Sequence, residues 1–293
     1  MLPELRIYTT RDDIKYVLVE QEEVISNYLK QDGVWGSHYL HLCDSILAKS
    51  EPGRVIDIGA GLGSWTVPLA IKYSGCHSFD SFEPLPKINL QLSANILLNN
   101  LDNVNVYRVA LSNKEDRAVR AAALDFHFSA NHGAYSFNSD FDSVRGIAKS
   151  DKEDVYEFRT LDSYRFADVR LIKVTTPGME KDVFEGMSQT LELSNYPPVL
   201  FESWTAEWYK ENRDNAIKFF NGRGYEHFTI LGIDHVIAFK TKAQADSFAN
   251  DVKEVLIGSS ESKNETATGG FKVSVQEHDR EHVIKHQVGA TSL

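Results

Sequence analysis

The sequence predicts an α/β fold: a mostly parallel sheet with crossover helices, a C-terminal antiparallel hairpin and an inserted β-ribbon. Three observations predict it. At Arg54 to Trp65 the chain reads R-V-I-D-I-G-A-G-L-G-S-W, a short apolar run of the kind that forms a strand buried on both faces, ending in a glycine-rich turn. Further apolar runs at His77–Phe82, Val104–Leu111, Val169–Thr175 and Val199–Trp204 alternate with stretches of helical periodicity. Finally, Glu226–Leu231 and His235–Lys240 flank the short turn Gly232–Asp234, which is a hairpin pattern.

Met1 to Thr10 carries no clear signal. From Arg11 to Gln31, Ile14, Val17, Leu18, Ile25, Tyr28 and Leu29 fall near helical spacing, so a helix is expected, with a strand at Tyr16–Val19 as the alternative. Gly33 to Gly36 breaks this segment. Ser37 then reads as an N-cap for a helix whose stripe is Tyr39, Leu42, Cys43, Ile46 and Leu47, ending before Pro52 and Gly53. Trp35, His38 and His41 at its mouth suit packing and capping better than gating a ligand. A helix over Thr66–Tyr73 follows the glycine turn, and the strand at His77–Phe82 is closed by Glu83. Pro84 opens a helix that stops at Asn99 and Asn100.

The α/β rhythm lapses from Lys114 to Thr160. Alternation at Val119–Phe128, Ala134–Asn138 and Val155–Arg159 predicts a β-ribbon, with His127, Asn131, His132 and Tyr135 as candidates to face a second substrate. The rhythm resumes with a helix at Glu180–Leu193, where Val183, Met187 and Leu191 share a face. Another follows through Tyr209, Ala216, Ile217 and Phe220, stopped by Gly222 and Gly224. Beyond Lys242 a helix runs to about Leu256, and Gly258–Gly270 has the composition of a linker or tail. His278, His282 and His286 recur every four residues, but no acid or cysteine accompanies them at fixed spacing, so no metal is expected. The domain reading is a helical segment over 1–50, a sheet domain over 51–242 with its insertion at about 114–160, and a C-terminal helix and tail over 243–293.

Composition narrows the function. A formal net charge of -11 argues against a nucleic-acid backbone as partner, because that partner rewards clustered Lys and Arg. Hydrophobic content of 42% and charged content of 25% fit a soluble globular protein. Cys43 and Cys76 lack metal-ligand spacing and read as reduced thiols, so a cytoplasmic protein without a disulfide is expected. No apolar run approaches the roughly 20 residues of a membrane helix, and the N-terminus lacks a signal-peptide core. The sequon at Asn264 then has no consequence.

A strand, a glycine turn and a helix aim unpaired N–H groups at a small polar ligand. The dinucleotide spacing needs Gly or Ala at position 64, where this chain has Ser64, so a nicotinamide enzyme is disfavoured. Asp57, just before the turn, would oppose a pyrophosphate and suit an ammonium group. The resulting D-x-G-x-G-x-G pattern resembles the S-adenosylmethionine turn of Rossmann-like class I methyltransferases. Glu83 sits where an acid at the tip of the second strand accepts the ribose hydroxyls of an adenosine. The cofactor-binding set is therefore Asp57, Gly59, Gly61, Gly63 and Glu83.

Several further segments resemble the FkbM-type methyltransferases. They are V-I-D-I-G-A-G-L-G, F-E-P-L-P, N-V-N-V-Y-R-V-A-L-S, T-L-D-S-Y at Thr160–Tyr164, L-I-K-V-T-T-P-G-M-E at Leu171–Glu180 and V-L-F-E at Val199–Glu202. The resemblance covers roughly residues 50 to 240 and implies S-adenosylmethionine-dependent methylation, mostly of hydroxyl oxygens on small molecules and glycans. One departure stands out. The family pattern K-x-D-x-E-G-x-E is represented by Lys173, Gly178 and Glu180, but Thr175 and Pro177 replace two acids. Thr175 cannot act as a general base, so deprotonation of an alcohol falls to Glu202 or to a histidine of the insertion. Glu202 can equally be a paired structural acid, and Lys173 either orients the acceptor or is structural. The catalytic candidates are Lys173, Thr175 and Glu202. The alternative is a non-catalytic binding or scaffold protein on the same fold.

Overall fold

The computed structural model describes residues 4–20, 22, 24–127, 131–138, 141 and 149–247. All lie within one compact unit, Met1–Asp251. The expected tail, the sequon at Asn264 and the histidines at 278, 282 and 286 lie outside the described residues, as does the expected C-terminal helix beyond residue 247.

The first correction is at the N-terminus. Strand β1 (Leu5–Thr9) pairs antiparallel with β2 (Lys15–Val19), so residues 1–50 are not wholly helical. The β-branched Val17 and Val19 beside Tyr16 favour a pleated surface, and Asp13 takes the left-handed turn conformation at φ 59°. Helix α1 (Ile25–Gln31) is short, and the buried Glu22 carboxylate accepts from the N–H groups of Val24 and Ile25, both at 3.0 Å, and from that of Ser26. Helix α2 (Ser37–Ala48) follows; its N-cap is Gly36 rather than the expected Ser37.

The central elements alternate as expected: β3 (Gly53–Ile58), α3 (Thr66–Lys72), β4 (His77–Phe82), α4 (Pro86–Leu98) and β5 (Val104–Tyr107). Helix α4 also supplies what β2 lacks on its free edge. Asn95 Oδ1 accepts from Val17 N at 2.6 Å, Gln91 Nε2 donates to Val17 O at 2.7 Å, and Asn99 bonds both backbone groups of Lys15. Three amides at a spacing of four stand on one helical face, replacing a neighbouring strand.

The expected third strand divides, because β6 (Ala110–Leu111) leaves the main sheet to pair with the insertion. That insertion is the ribbon β7 (Asp116–Leu124) and β8 (Lys149–Arg159), antiparallel to each other. The expected extended run at Ala134–Asn138 is instead a 3-10 turn at His132–Ala134.

Strand β9 (Val169–Val174) is followed by two short helices, α5 (Glu180–Glu185) and α6 (Ser188–Leu193), where one helix was expected. They part at Gly186, which lies so close to Ser112 that an added Cβ would stand 2.0 Å from the Ser112 carbonyl oxygen. Strand β10 (Val199–Glu202), helix α7 (Lys210–Asn221), β11 (His227–Leu231) and β12 (His235–Phe239) complete the fold.

The seven-stranded sheet runs β11-β12-β10-β9-β3-β4-β5, with β12 antiparallel to both its neighbours and the rest parallel. One face is apolar: Ile56, Ile58, Phe82, Val174, Phe201 and Val236 pack with Phe184, Leu191 and Phe220 of the helices. The other face turns polar at the edge formed by the C-terminal ends of the parallel strands. Register pairs Asp57 with Ser81 and Lys173, and Glu202 with His235. Cross-strand partners project from the same face, and so do alternate residues of a strand, so these five side chains form one polar row. Among the described residues no helix is long and apolar enough to cross a membrane.

Candidate functional site

Three members of the row, Asp57, Ser81 and Lys173, are joined by a continuous set of hydrogen bonds around Asp57, which is fully buried. Lys173 Nζ donates to Asp57 Oδ1 at 2.8 Å, to Thr175 Oγ1 at 2.5 Å and to the carbonyl of Gly59 at 3.3 Å. Thr66 Oγ1 donates to Asp57 Oδ2 at 2.6 Å and stands 2.9 Å from Ser81 Oγ. Thr175 Oγ1 in turn donates to the Gly59 carbonyl at 3.3 Å. Asp57 thus has both oxygens engaged within the protein, and the ammonium it holds is that of Lys173. The charge that suggested a ligand's ammonium instead fastens the turn after β3 to the tip of β9.

The same bonds account for Thr175. A carboxylate there would place a second negative charge on Lys173 Nζ beside Asp57, whereas a hydroxyl accepts from the ammonium and donates its own hydrogen bond to the Gly59 carbonyl. Gly59 is confined in turn: at φ 78° it sits against Thr175, and a Cβ would come within 2.0 Å of the Thr175 carbonyl oxygen.

Glu83 lies across the turn, 5% exposed. Its Oε2 accepts from Gly61 N and its Oε1 from Leu85 N, both at 2.9 Å. Burial raises its pKa to about 7, against the pull of those two N–H groups. Between Glu83 and the turn, Gly61 opens outward: at φ 56° the position its Cβ would take has no atom within 4 Å. Gly63, at φ 93°, faces inward instead, its Cβ position 2.7 Å from Leu92. The turn therefore has one clear side, bounded by an acid whose oxygens already bond N–H donors. A cavity of about 560 Å³ lined by Arg54, Cys76, Asp168 and Arg170 lies at the opposite edge of the sheet, away from these groups.

Beyond β9 and β10 lies a second cluster that sequence reading recovered only in part. Glu202 is 7% exposed, and its Oε1 accepts from Trp204 Nε1. Glu180, 3% exposed, lies buried close to Tyr209 and Glu202. Burial first, and then the neighbouring Glu202 carboxyl, hold Glu180 well above the ordinary carboxylate range. Burial likewise raises Tyr209, whose hydroxyl donates to the Glu202 carbonyl at 3.4 Å. Phe141, Trp204, Trp208 and Tyr209 surround the pair, with ring centroids 5.4 Å apart for Phe141–Trp208 and 6.0 Å for Trp204–Trp208. Trp208 is 44% exposed.

The insertion reaches this cluster through residues other than those singled out from sequence. Ser136 Oγ donates to Pro177 O at 2.5 Å and Asn138 Nδ2 to Gly178 O at 3.3 Å, clamping the loop after β9. By contrast Asn131 accepts from Gly133 N, His132 is buried against Phe126, Tyr135 donates to Ala122 O, and His127 is exposed. Thr66, Ser81, Glu180 and Trp204 were missed. Serine and threonine inside an α3–β4 unit look like ordinary helix and strand residues, and the Glu180–Glu202 approach depends on the β9–β10 crossover.

No curated protein matches the chain. Among solved structures, the precorrin-6y C5,15-methyltransferase of Geobacter metallireducens is 12% identical, covering 77% of this chain and 94% of its own at a TM-score of 0.44. A putative rRNA methylase from Clostridium thermocellum is 12% identical, covering 70% and 95% at 0.45. TYW2 of M. jannaschii, solved in complex with AdoMet, is 15% identical, covering 81% and 85% at 0.40. The profile of the methyltransferase FkbM domain matches residues 57–227, from the acid before the glycine turn to the start of β11. The chain belongs to the FkbM methyltransferase family.

Proposed function

We propose that this methyltransferase takes its methyl group from S-adenosylmethionine and delivers it to a hydroxyl oxygen of a small molecule or glycan. The observation that carries the donor is the clear side of Gly61 between the turn and Glu83. An adenosyl group fits it: Glu83 offers acceptor oxygens to the ribose hydroxyls, and the Gly61 N–H is released as they arrive. Gly59 and Gly63 shape the turn, while Asp57 acts through Lys173. When bound, the donor supplies a methyl group activated on a sulfonium sulfur.

The chain's own task is alignment and removal of a proton. Proximity and orientation carry much of the barrier for an in-line displacement at an activated carbon. The donor would supply its methyl carbon to the acceptor oxygen, and Glu202 is placed to take the hydroxyl proton. Glu202 suits that role through its place at the end of β10, beside Glu180 and Trp204. Trp204 and Trp208 beside two carboxyl groups offer a flat face and hydrogen-bonding edge of the kind a sugar ring uses. The free thiols of Cys43 and Cys76 fit a reducing cytoplasm. The net charge of -11 disfavours a nucleic-acid acceptor.

The test is transfer of labelled methyl from S-adenosylmethionine to a panel of polyols and oligosaccharides, with polynucleotides as controls. Label in a hydroxyl product supports the reading; label only in nucleic acid or amines overturns it. A second reading, a non-catalytic scaffold, is favoured by one observation: Thr175 and Pro177 stand where the family carries acids. It predicts donor binding with no transfer to any acceptor until acids are restored at those positions.

A further inference from the structure

One more group of side chains converges on the ligand edge. His38 is the second residue of α2, Asp234 ends the β11–β12 turn, and His235 opens β12. Each offers one ligand atom, and the three atoms lie within 4.8 Å of one another. Asp234 Oδ1 and His235 Nδ1 are already 2.9 Å apart, close to the spacing of two ligands that sit about 2 Å from a shared ion. Gly232 marks the space between the other pair: a Cβ built there would stand 3.7 Å from His38 Nε2 and 3.8 Å from Asp234 Oδ1.

The environment of His235 narrows which nitrogen can serve. His235 is 6% exposed, and its Nε2 is enclosed by the protein. Its Nδ1, which faces Asp234 Oδ1, is the nitrogen placed to share an ion with that carboxylate. The scaffold holds it in place. Ser203 N donates to Asp234 O at 2.7 Å, Thr205 N donates to Ile233 O at 2.8 Å, and the Tyr39 ring lies 4.5 Å from the His235 ring. His38 stands at an exposed position on the first turn of α2, its ring 6.2 Å from that of His235.

We propose that His38, Asp234 and His235 bind a divalent first-row transition ion. Two imidazoles and one carboxylate suit zinc, cobalt or iron rather than magnesium or calcium, which prefer all-oxygen sites. Three protein ligands leave a coordination position open. His235 is the register partner of Glu202, so that position adjoins the acceptor side. A hydroxyl entering it would lose its proton more readily, which supplies the route to an alkoxide that Thr175 and Pro177 do not. This role rests on the methyl-transfer reading; binding of the ion does not. The metal-free expectation drawn from sequence arose because these ligands come from opposite ends of the described chain and have no fixed spacing.

The experiment is calorimetric titration of the chelator-treated full chain with Zn²⁺ alone, and with Co²⁺ followed by visible absorption. His278, His282 and His286 are replaced by alanine so that the C-terminal histidines cannot contribute. One equivalent of ion per chain is expected, with cobalt absorption of a low-coordinate site, and at least a tenfold weaker affinity in both His38→Ala and His235→Ala. Absence of stoichiometric binding, or binding unchanged in His38→Ala, overturns the site. His38 is exposed, so His38→Ala decides the matter even where His235→Ala does not fold. Failure of methyl transfer with intact ion binding would overturn the functional reading and leave the site standing.

Discussion

The two sides of this sheet edge, proposed for the donor and the acceptor, are built differently. The donor side comes from two consecutive strand–turn units, Asp57 to Gly63 and Phe82 to Leu85, and Glu83 bonds N–H groups of both. The acceptor side gathers Ser136 and Asn138 of the insertion, Thr175 to Glu180 after β9, Glu202 to Tyr209 after β10, and Asp234–His235 of the hairpin. A cradle for an invariant donor can be fixed by short-range sequence. A surface that must fit a particular acceptor is assembled from loops that vary independently on the same sheet.

The deepest break in this comparison is at the bond joining the two sides. Asp57→Ala leaves the Lys173 ammonium buried without its counter-charge, and a loss of about 3–5 kcal/mol in unfolding free energy is expected from urea denaturation. Asp57→Leu with Lys173→Met should recover most of that loss while still abolishing donor binding.

Next in size is the acceptor base. Glu202→Gln should lower kcat by about a hundredfold or more with donor affinity unchanged, measured on whichever hydroxyl acceptor the panel yields. An equal loss of donor affinity would place Glu202 among structural acids.

Glu83 sharpens the donor side. Its pKa of about 7 belongs to a carboxyl that burial keeps protonated below that pH, and ribose hydroxyls donate best to the ionised form. Donor affinity should therefore rise as pH increases through about 7, and Glu83→Gln should flatten the profile while weakening binding by about 10- to 100-fold. Titrations at several pH values check both.

A smaller effect tests the scaffold alternative. Thr175→Asp with Pro177→Glu should leave turnover similar or lower, because the new acid competes with Asp57 for Lys173. Activity that appears only in this double variant would favour the non-catalytic reading. Smallest is Trp208→Ala, for which an acceptor KM raised a few-fold with kcat preserved is expected from lost stacking.

Legibility in the sequence follows the same division. The mostly parallel sheet, its terminal hairpin and the glycine turn after β3 could be read because each strand–turn–helix unit carries its signal within a dozen or so residues. At β1 and β2 the helical spacing of Ile14, Val17 and Leu18 misled, since four or five strand residues fit either period. Pairing there is decided by distant amides on α4, which no local pattern reveals. Asp57 was expected to face a ligand's ammonium, and its partner in the protein was not foreseen, because Lys173 reaches it only through the register of β3 and β9. His38, Asp234 and His235 were invisible as a set for the same reason.

Whether one S-adenosylmethionine occupies the proposed space above Gly61 against Glu83 is decided by calorimetry. One equivalent bound by the parent chain is expected, with at least a tenfold loss of affinity in a folded Glu83→Ala variant. No binding by the parent, or the same affinity in both, would contradict it.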